Sequence, residues 1–282
     1  MATLARILSH IIAFLPLKLQ NFLGRLLGSL AFLLLSSRRR IAQHNIAKAF
    51  PEKTDEEISI LTRLHFQHLG NVILDLITLP SMNNPEILRK KIELEGSEIV
   101  EKELGTRGGA IFMSAHMGSW ESLCTAPLFD YPLYGLFRKQ SSRFDSILTT
   151  LRTSCGVQLF PNDRNGMKAL LKEAKAGGFI AVLADQGRGP ELPFFGEPAR
   201  FPKGGVAFNV RHGLKAFPIF ALRSLDGRIK LRILPAIEAP SDLHRQEAER
   251  CLQRKFISVL EKQIVDFPEQ YYWVHDIWRN FK

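Results

Sequence analysis

Ile111-Phe112-Met113-Ser114-Ala115-His116-Met117-Gly118-Ser119-Trp120-Glu121 is an apolar run that ends in a histidine, with a glutamate five residues further on. The spacing alone carries nothing, because His244 and Glu249 repeat it inside the polar helical stretch 241–261. Positions five apart on a regular helix stand about 140° apart, so that second pair is expected to point to different sides of a solvated helix. The first pair differs in its surroundings. Gly108-Gly109 refuses a helix before the apolar run, while Gly118 and the capping residue Ser119 follow the histidine. This context predicts a strand over 110–115 and His116 on the turn at its end. It puts Glu121 in the first turn of the next helix, where the chain can fold the carboxylate back onto the imidazole. A carboxylate on one ring nitrogen fixes the tautomer and favours the imidazolium formed when the other nitrogen takes a proton. Such a pair suits general-base catalysis on an alcohol.

Outward from this stretch, apolar runs recur at 133–137, 157–160, 179–184, 216–222 and 229–234, with helical patterns at 119–129, 142–154 and 165–176. Strands alternating with helices of that length predict an α/β sandwich around a central, mostly parallel sheet flanked by helices. Ligands in such sheets gather beyond the carboxyl ends of the strands. His116 falls at one such end, and Asp185, directly after the run 179–184, falls at another. Thr54-Asp55-Glu56-Glu57 opens a further helix that reaches Leu79 and stops at Pro80.

The net charge of +10 on 282 residues is unevenly placed. Residues 1–50 hold seven basic residues, Arg38-Arg39-Arg40 among them, and no Asp or Glu. The rest carries little excess, and no nucleic-acid-binding signature accompanies it, so nucleic acid is not the expected partner. The same 50 residues contain two apolar blocks, 7–17 and 22–35, broken by Pro16, Lys18 and Arg25. A spanning helix needs about 20 apolar residues, so a helix that lies in one leaflet is expected, its basic cluster on anionic lipid at the cytoplasmic face. We therefore divide the chain into a membrane-anchoring segment, 1–50, and a catalytic domain, 51–282. Cys124, Cys155 and Cys251 have no metal-ligand spacing and read as core thiols of a reducing compartment. Walker, G-x-G-x-x-G, G-x-S-x-G and H-E-x-x-H motifs are absent.

The segment 192–205 is dense in proline, glycine and aromatics, and reads as a rigid loop whose Phe194-Phe195 could wall an acyl chain. With it the ordered motifs are complete. They are Arg40-x4-Asn45-Ile46-x3-Phe50-Pro51-Glu52, His116-x4-Glu121, Phe137-Arg138, Arg152 before Cys155-Gly156-Val157, Ala184-Asp185-Gln186, Pro193-Phe194-Phe195-Gly196-x-Pro198-Ala199, the Pro218 strand, and Pro268-Glu269-Gln270-Tyr271-Tyr272-Trp273-Val274-His275. Together, from about Arg38 to Lys282, they resemble the bacterial lipid A biosynthesis acyltransferases, lauroyl and myristoyl transferases of the glycerolipid acyltransferase superfamily. The resemblance implies a glycerolipid-acyltransferase-like fold at the inner membrane. It implies that His116 and Glu121 deprotonate a hydroxyl of a lipid A precursor, which then attacks an acyl thioester on acyl carrier protein. Neither a metal nor a further cofactor is implied. Arg152 and Asp185 map to the active-site neighbourhood, Arg152 to hold an anionic group such as a phosphate through its fork, with Arg138 a second candidate for that work. Members commonly continue the Trp-Val-His motif with basic residues, whereas this chain reads Asp276-Ile277-Trp278-Arg279.

Other readings remain open at this stage. The acceptor could be a lysophospholipid or a mannosylated lipid, water could replace it in a thioesterase, or the chain could be a non-catalytic membrane-surface module. An acidic carrier protein would dock on basic residues near the cleft, with Arg138, Lys139, Arg143, Arg200 and Lys203 the candidates.

Overall fold

The computed structural model describes residues 9–105, 108–137 and 143–278. Residues 9–14 are helical. Three helices follow: α1 (Leu17–Leu34), α2 (Ser36–Ala49) and α3 (Asp55–Thr78). Then come α4 (Pro85–Lys91), β1 (Ile92–Glu95), α5 (Ser97–Leu104), β2 (Ala110–Ser114), a 3₁₀ helix (Trp120–Phe129) and β3 (Leu133–Phe137). The second half runs α6 (Arg143–Thr153), β4 (Gln158–Pro161), α7 (Arg164–Lys175), β5 (Phe179–Leu183), β6 (Glu191–Phe194), β7 (Glu197–Arg200), α8 (Gly204–His212), β8 (Lys215–Arg223), β9 (Ile229–Ile233) and α9 (Arg245–Asp266).

Seven strands form one sheet in the order β1-β9-β8-β2-β5-β3-β4, with every pairing parallel except β8 against β9. This is the expected mostly parallel α/β architecture. Its central strand β2 is buried along its whole length, as a strand covered on both faces must be. Alternate residues feed two cores, Ile111 and Met113 on one face, Ala110 and Phe112 on the other. Thr54 starts α3 with a full capping box: its hydroxyl accepts from Glu57 N (3.3 Å) and Glu57 Oε2 accepts from Thr54 N (2.8 Å).

Among the described residues no single helix is long and apolar enough to cross a membrane; α1 and α2 pass that test only as a pair, bent by 98°. Helix α1 packs on α3 through a glycine seam. A Cβ on Gly28 would lie 2.0 Å from Phe66 O, and one on Gly70 would lie 2.0 Å from Gly24 O, so only glycine permits this approach. Opposite the seam, Phe22, Leu26, Leu30, Leu33 and Leu34 are exposed. Helix α2 joins the main core through Ala42, Ile46 and Ala49. Its buried Asn45 donates to Trp273 O (2.8 Å) and His275 O (2.6 Å), so α2 is clasped to the segment after α9.

Two details depart from the sequence reading. Segment 192–205 is not a loop throughout: β6 and β7 form a hairpin, and Phe194 is fully buried against Phe201, Tyr271 and Trp278 rather than walling a lipid path, whereas Pro202 and Gly204 at the end of the segment line the cavity described below. Glu249 is not solvated either, but buried, with Lys203, Arg211 and Arg245 within 4.0 Å of its carboxylate.

Candidate active site

His116 and Asp185 are brought together by strand register. Ser114 at the end of β2 stands level with Leu183 at the end of β5, and Ala184 N donates to Ser114 O (2.8 Å). Two residues on, the two strands deliver His116 and Asp185 side by side. Asp185 Oδ1 lies 2.9 Å from His116 Nδ1, and Oδ2 accepts from His116 N at 3.1 Å. Asp185 is buried, while the imidazole keeps 23% of its side-chain surface open. Burial works against a charged imidazole, but Asp185, then Glu121, outweighs it and leaves the His116 pKa above its ordinary value.

Glu121 is not the imidazole's partner, which corrects the sequence expectation. Residues after Ser119 form a 3₁₀ helix with Pro127 inside it rather than an α-helix. Glu121 faces α6, where Arg152 Nε donates to Oε2 (2.8 Å) and Nη2 to Oε1 (2.5 Å). Trp120 Nε1 also donates to Glu121 Oε1 (3.2 Å). Arg152, expected to fork around a phosphate, forks around this carboxylate. Arg138 and Lys139 lie outside the described residues, Arg200 pairs with Glu191 (3.2 Å), and Lys203 reaches Glu249.

The C-terminal segment closes over the histidine turn. Tyr272 N donates to His116 O (2.9 Å), Gly118 N to Gln270 O (2.8 Å), and Ser119 N to Ala221 O (2.8 Å). Gly118 sits at φ +62°, and a Cβ there would lie 2.0 Å from Ala221 O. Trp120 and Tyr272 flank the imidazole with ring centroids 5.5 and 5.9 Å away. Burial holds the phenol of Tyr271 well above its ordinary range, and the neighbouring Asp185 carboxylate adds to this. His275 also faces the pair; burial lowers its pKa, with Asp185 pulling the other way. Gln270 and Tyr272 stand in the Pro268–His275 motif, but the backbone bonds they make to the His116 turn leave no mark in the sequence.

Beside this constellation the sheet parts. Strand β3 stays paired with β4 over four positions, but with β5 over only Leu133↔Phe179 and Tyr134↔Ile180. Past that point Ala181, Val182 and Leu183 have β2 on one side but no β3 partner on the other, and remain only half-buried despite being apolar. The gap belongs to a cavity of about 630 Å³. Trp120, Glu121 and Arg152 line it on the histidine side, and Leu136, Leu159, Leu170 and Phe208 are among its apolar walls. Among the described residues no cluster of His, Cys, Asp and Glu is arranged to hold a metal ion.

The family model described as bacterial lipid A biosynthesis acyltransferase matches residues 2–280. The chain is 25% identical over 272 residues to the lipid A biosynthesis myristoyltransferase of Escherichia coli (strain K12), covering 93% of this chain and 82% of that one. It is 25% identical over 276 residues to the lipid A biosynthesis lauroyltransferase of the same organism, covering 95% and 87%. A phosphatidylinositol mannoside acyltransferase of Mycobacterium tuberculosis is 24% identical over 161 residues, 53% of this chain and 50% of that one.

Proposed function

Because the chain belongs to the bacterial lipid A biosynthesis acyltransferases, and is therefore an O-acyltransferase acting in lipid A synthesis, we propose that His116 is its general base. In this reading the acyl donor is the thioester of acyl carrier protein and the acceptor a hydroxyl of a lipid A precursor. The observation that carries it is the His116–Asp185 pair next to an apolar cavity opened in the sheet.

With Asp185 as a carboxylate, Nδ1 carries the imidazole proton and Nε2 is left to accept one. Nε2 takes the hydroxyl proton as the acceptor oxygen attacks the thioester carbonyl, and Asp185 offsets the charge of the imidazolium. The carbon–sulfur bond then breaks, the thiolate takes the proton from Nε2, and the products are an ester and a free thiol. The acyl chain occupies the cavity, where each buried methylene contributes about 0.8 kcal/mol. Glu121 acts through Arg152, aiming the guanidinium at the cavity mouth.

That last role predicts a double-mutant outcome. Glu121→Gln and Arg152→Ala should each lower kcat/KM, and the double variant should be no worse than the worse single, because each loses the same bidentate pair. Additive losses, measured with purified enzyme, would separate the two residues.

Residues 1–50 are the membrane-facing part in this proposal, at the cytoplasmic face of the inner membrane, with 51–282 as the catalytic domain. The exposed leucines and Phe22 of α1 enter the lipid, and the basic run 38–40 just past the α1–α2 bend meets anionic headgroups. A mannosylated acceptor is the second reading, favoured by the similarity to the mannoside acyltransferase. One assay tests the set: acyl carrier thioester or acyl coenzyme A is supplied with a lipid A precursor, a phosphatidylinositol mannoside, a lysophospholipid or no acceptor. Acylation of the lipid A precursor from the carrier thioester alone is the expected result. Equal use of coenzyme A thioesters would overturn the donor, preference for another lipid would overturn the acceptor, and turnover without acceptor would make the enzyme a thioesterase.

A further inference from the structure

A buried ionic cluster lies behind the His116 turn, and the scheme above makes no use of it. Asp75 on α3, Lys91 on α4 and Arg223 on β8 are all buried. Lys91 Nζ stands 2.9 Å from Asp75 Oδ1, and Arg223 Nη1 pairs with Asp75 Oδ2. Ser119, itself fully buried, donates its hydroxyl to the same Oδ2. On the far side Lys91 Nζ donates to Gln20 Oε1 (2.9 Å) and to Thr78 Oγ1 (3.2 Å). Gln20 Nε2 in turn donates to Leu15 O (2.9 Å) and Ala13 O (3.3 Å). A continuous line of polar contacts therefore runs from α1 to the residue three positions past His116.

One carboxylate facing two cations is an unbalanced buried set. Taking such charges out of water is costly, and a well-packed apolar set of similar volume is often no less stable. Fold stability is thus a poor reason for its presence. Its geometry offers a better one. The backbone bonds of the turn tie it to β8 and to the C-terminal segment, whereas the Ser119 hydroxyl ties it to the helical layer, at a carboxylate that two cations hold in place. His68, also buried on α3, lies against Gly118 and is kept neutral by burial and then by Arg223, which push its pKa down to about 4.

Given that His116 is the base, we propose that Asp75 is a positioning residue for acyl transfer: through Ser119 it sets the His116 turn against Asp185, and through Lys91 and Gln20 it makes that setting depend on α1 being seated. Helix α1 is the one whose exposed face meets lipid in the proposed orientation. Seating it and aligning the base are then one event.

The test uses full-length enzyme with Ser119→Ala, Gln20→Leu and His116→Ala side by side. Ser119→Ala is expected to lower kcat roughly tenfold to a hundredfold, the range that an ångström-scale misplacement of a catalytic group produces, with KM for the acceptor unchanged. The acid limb of its kcat/KM profile should move to lower pH, because a looser contact with Asp185 favours the imidazolium less, while Glu121, Arg152 and His275 stay in place around the ring. Gln20→Leu should give the same split between kcat and KM, more weakly. A merely structural role would shift melting and leave both the kinetics per folded molecule and the limb alone. If Ser119→Ala melts early, Ser119→Cys, similar in size and still a weak donor, should recover melting and part of kcat. Wild-type kcat and pH limb in a folded Ser119 variant overturn the inference. Full turnover by His116→Ala overturns the general-base reading instead, so the two failures are told apart.

Discussion

Replacing His116 by alanine is expected to lower kcat/KM for acyl transfer by roughly 10²- to 10⁴-fold, the usual cost of removing a positioned general base. The fold should survive, because the imidazole is partly exposed and the turn keeps its backbone bonds to Tyr272, Gln270 and Ala221. Turnover of carrier thioester with acceptor, measured on protein whose melting temperature matches wild type, checks this. Near-normal turnover would remove His116 from the chemistry.

The second large effect falls on Asp185. Asp185→Asn keeps the shape of the pair but loses the charge, and an amide can favour the wrong tautomer; in serine hydrolase triads the equivalent change costs about 10⁴ in kcat. The pH dependence has a definite sign. In the wild type the carboxylate helps hold the His116 pKa above its ordinary value, so in the proposed scheme the base is neutral, and active, only as pH rises past that raised point. Removing the carboxylate lowers the pKa, and the acid limb should move to lower pH even as the maximum falls. A profile of kcat/KM against pH measures both. An unmoved limb with undiminished rate would mean that Asp185 does not act through the imidazole.

How far the sequence could be read follows from which contacts were local. The strand 110–115, its terminal histidine and the aspartate after 179–184 were all legible, because apolar runs ending in turns mark parallel strands wherever they occur. The partnership between His116 and Asp185 was not, since it depends on β5 lying beside β2 with Ser114 level with Leu183, and nothing within a few residues encodes that neighbour. Glu121 looked like the partner because it is near in sequence; the 3₁₀ geometry of Trp120–Phe129 and the pull of Arg152, 31 positions away, turned it elsewhere. Phe194 looked exposed for a similar reason, as the aromatic residues that bury it lie at the end of the chain. Nothing in the sequence sets Asp75 apart from the other polar positions of its long helix. Only the arrival of Lys91 and Arg223 makes it a buried anion.

The clasp of Asn45 on Trp273 and His275 bears on how the molecule is made. It closes a loop between residues 228 and 230 positions apart, and contacts of such separation are the last that a folding chain can recover, since loop closure must be met before they reward it. A nascent chain already contains β2, β5 and the residues that line the cavity between β5 and β3 while its final residues are still being synthesised. What it lacks at that point is Gln270 and Tyr272, and with them the bonds that fasten the His116 turn. The His116 turn thus gains its bonds to Gln270 and Tyr272 only when the C-terminal segment docks, whereas its ties to Asp185, Ala221 and Asp75 do not depend on that segment. A protein cut short by premature termination or proteolysis after α9 lacks Gln270 and Tyr272, and with them these bonds, and it also lacks Tyr271 and Trp273 of the main core.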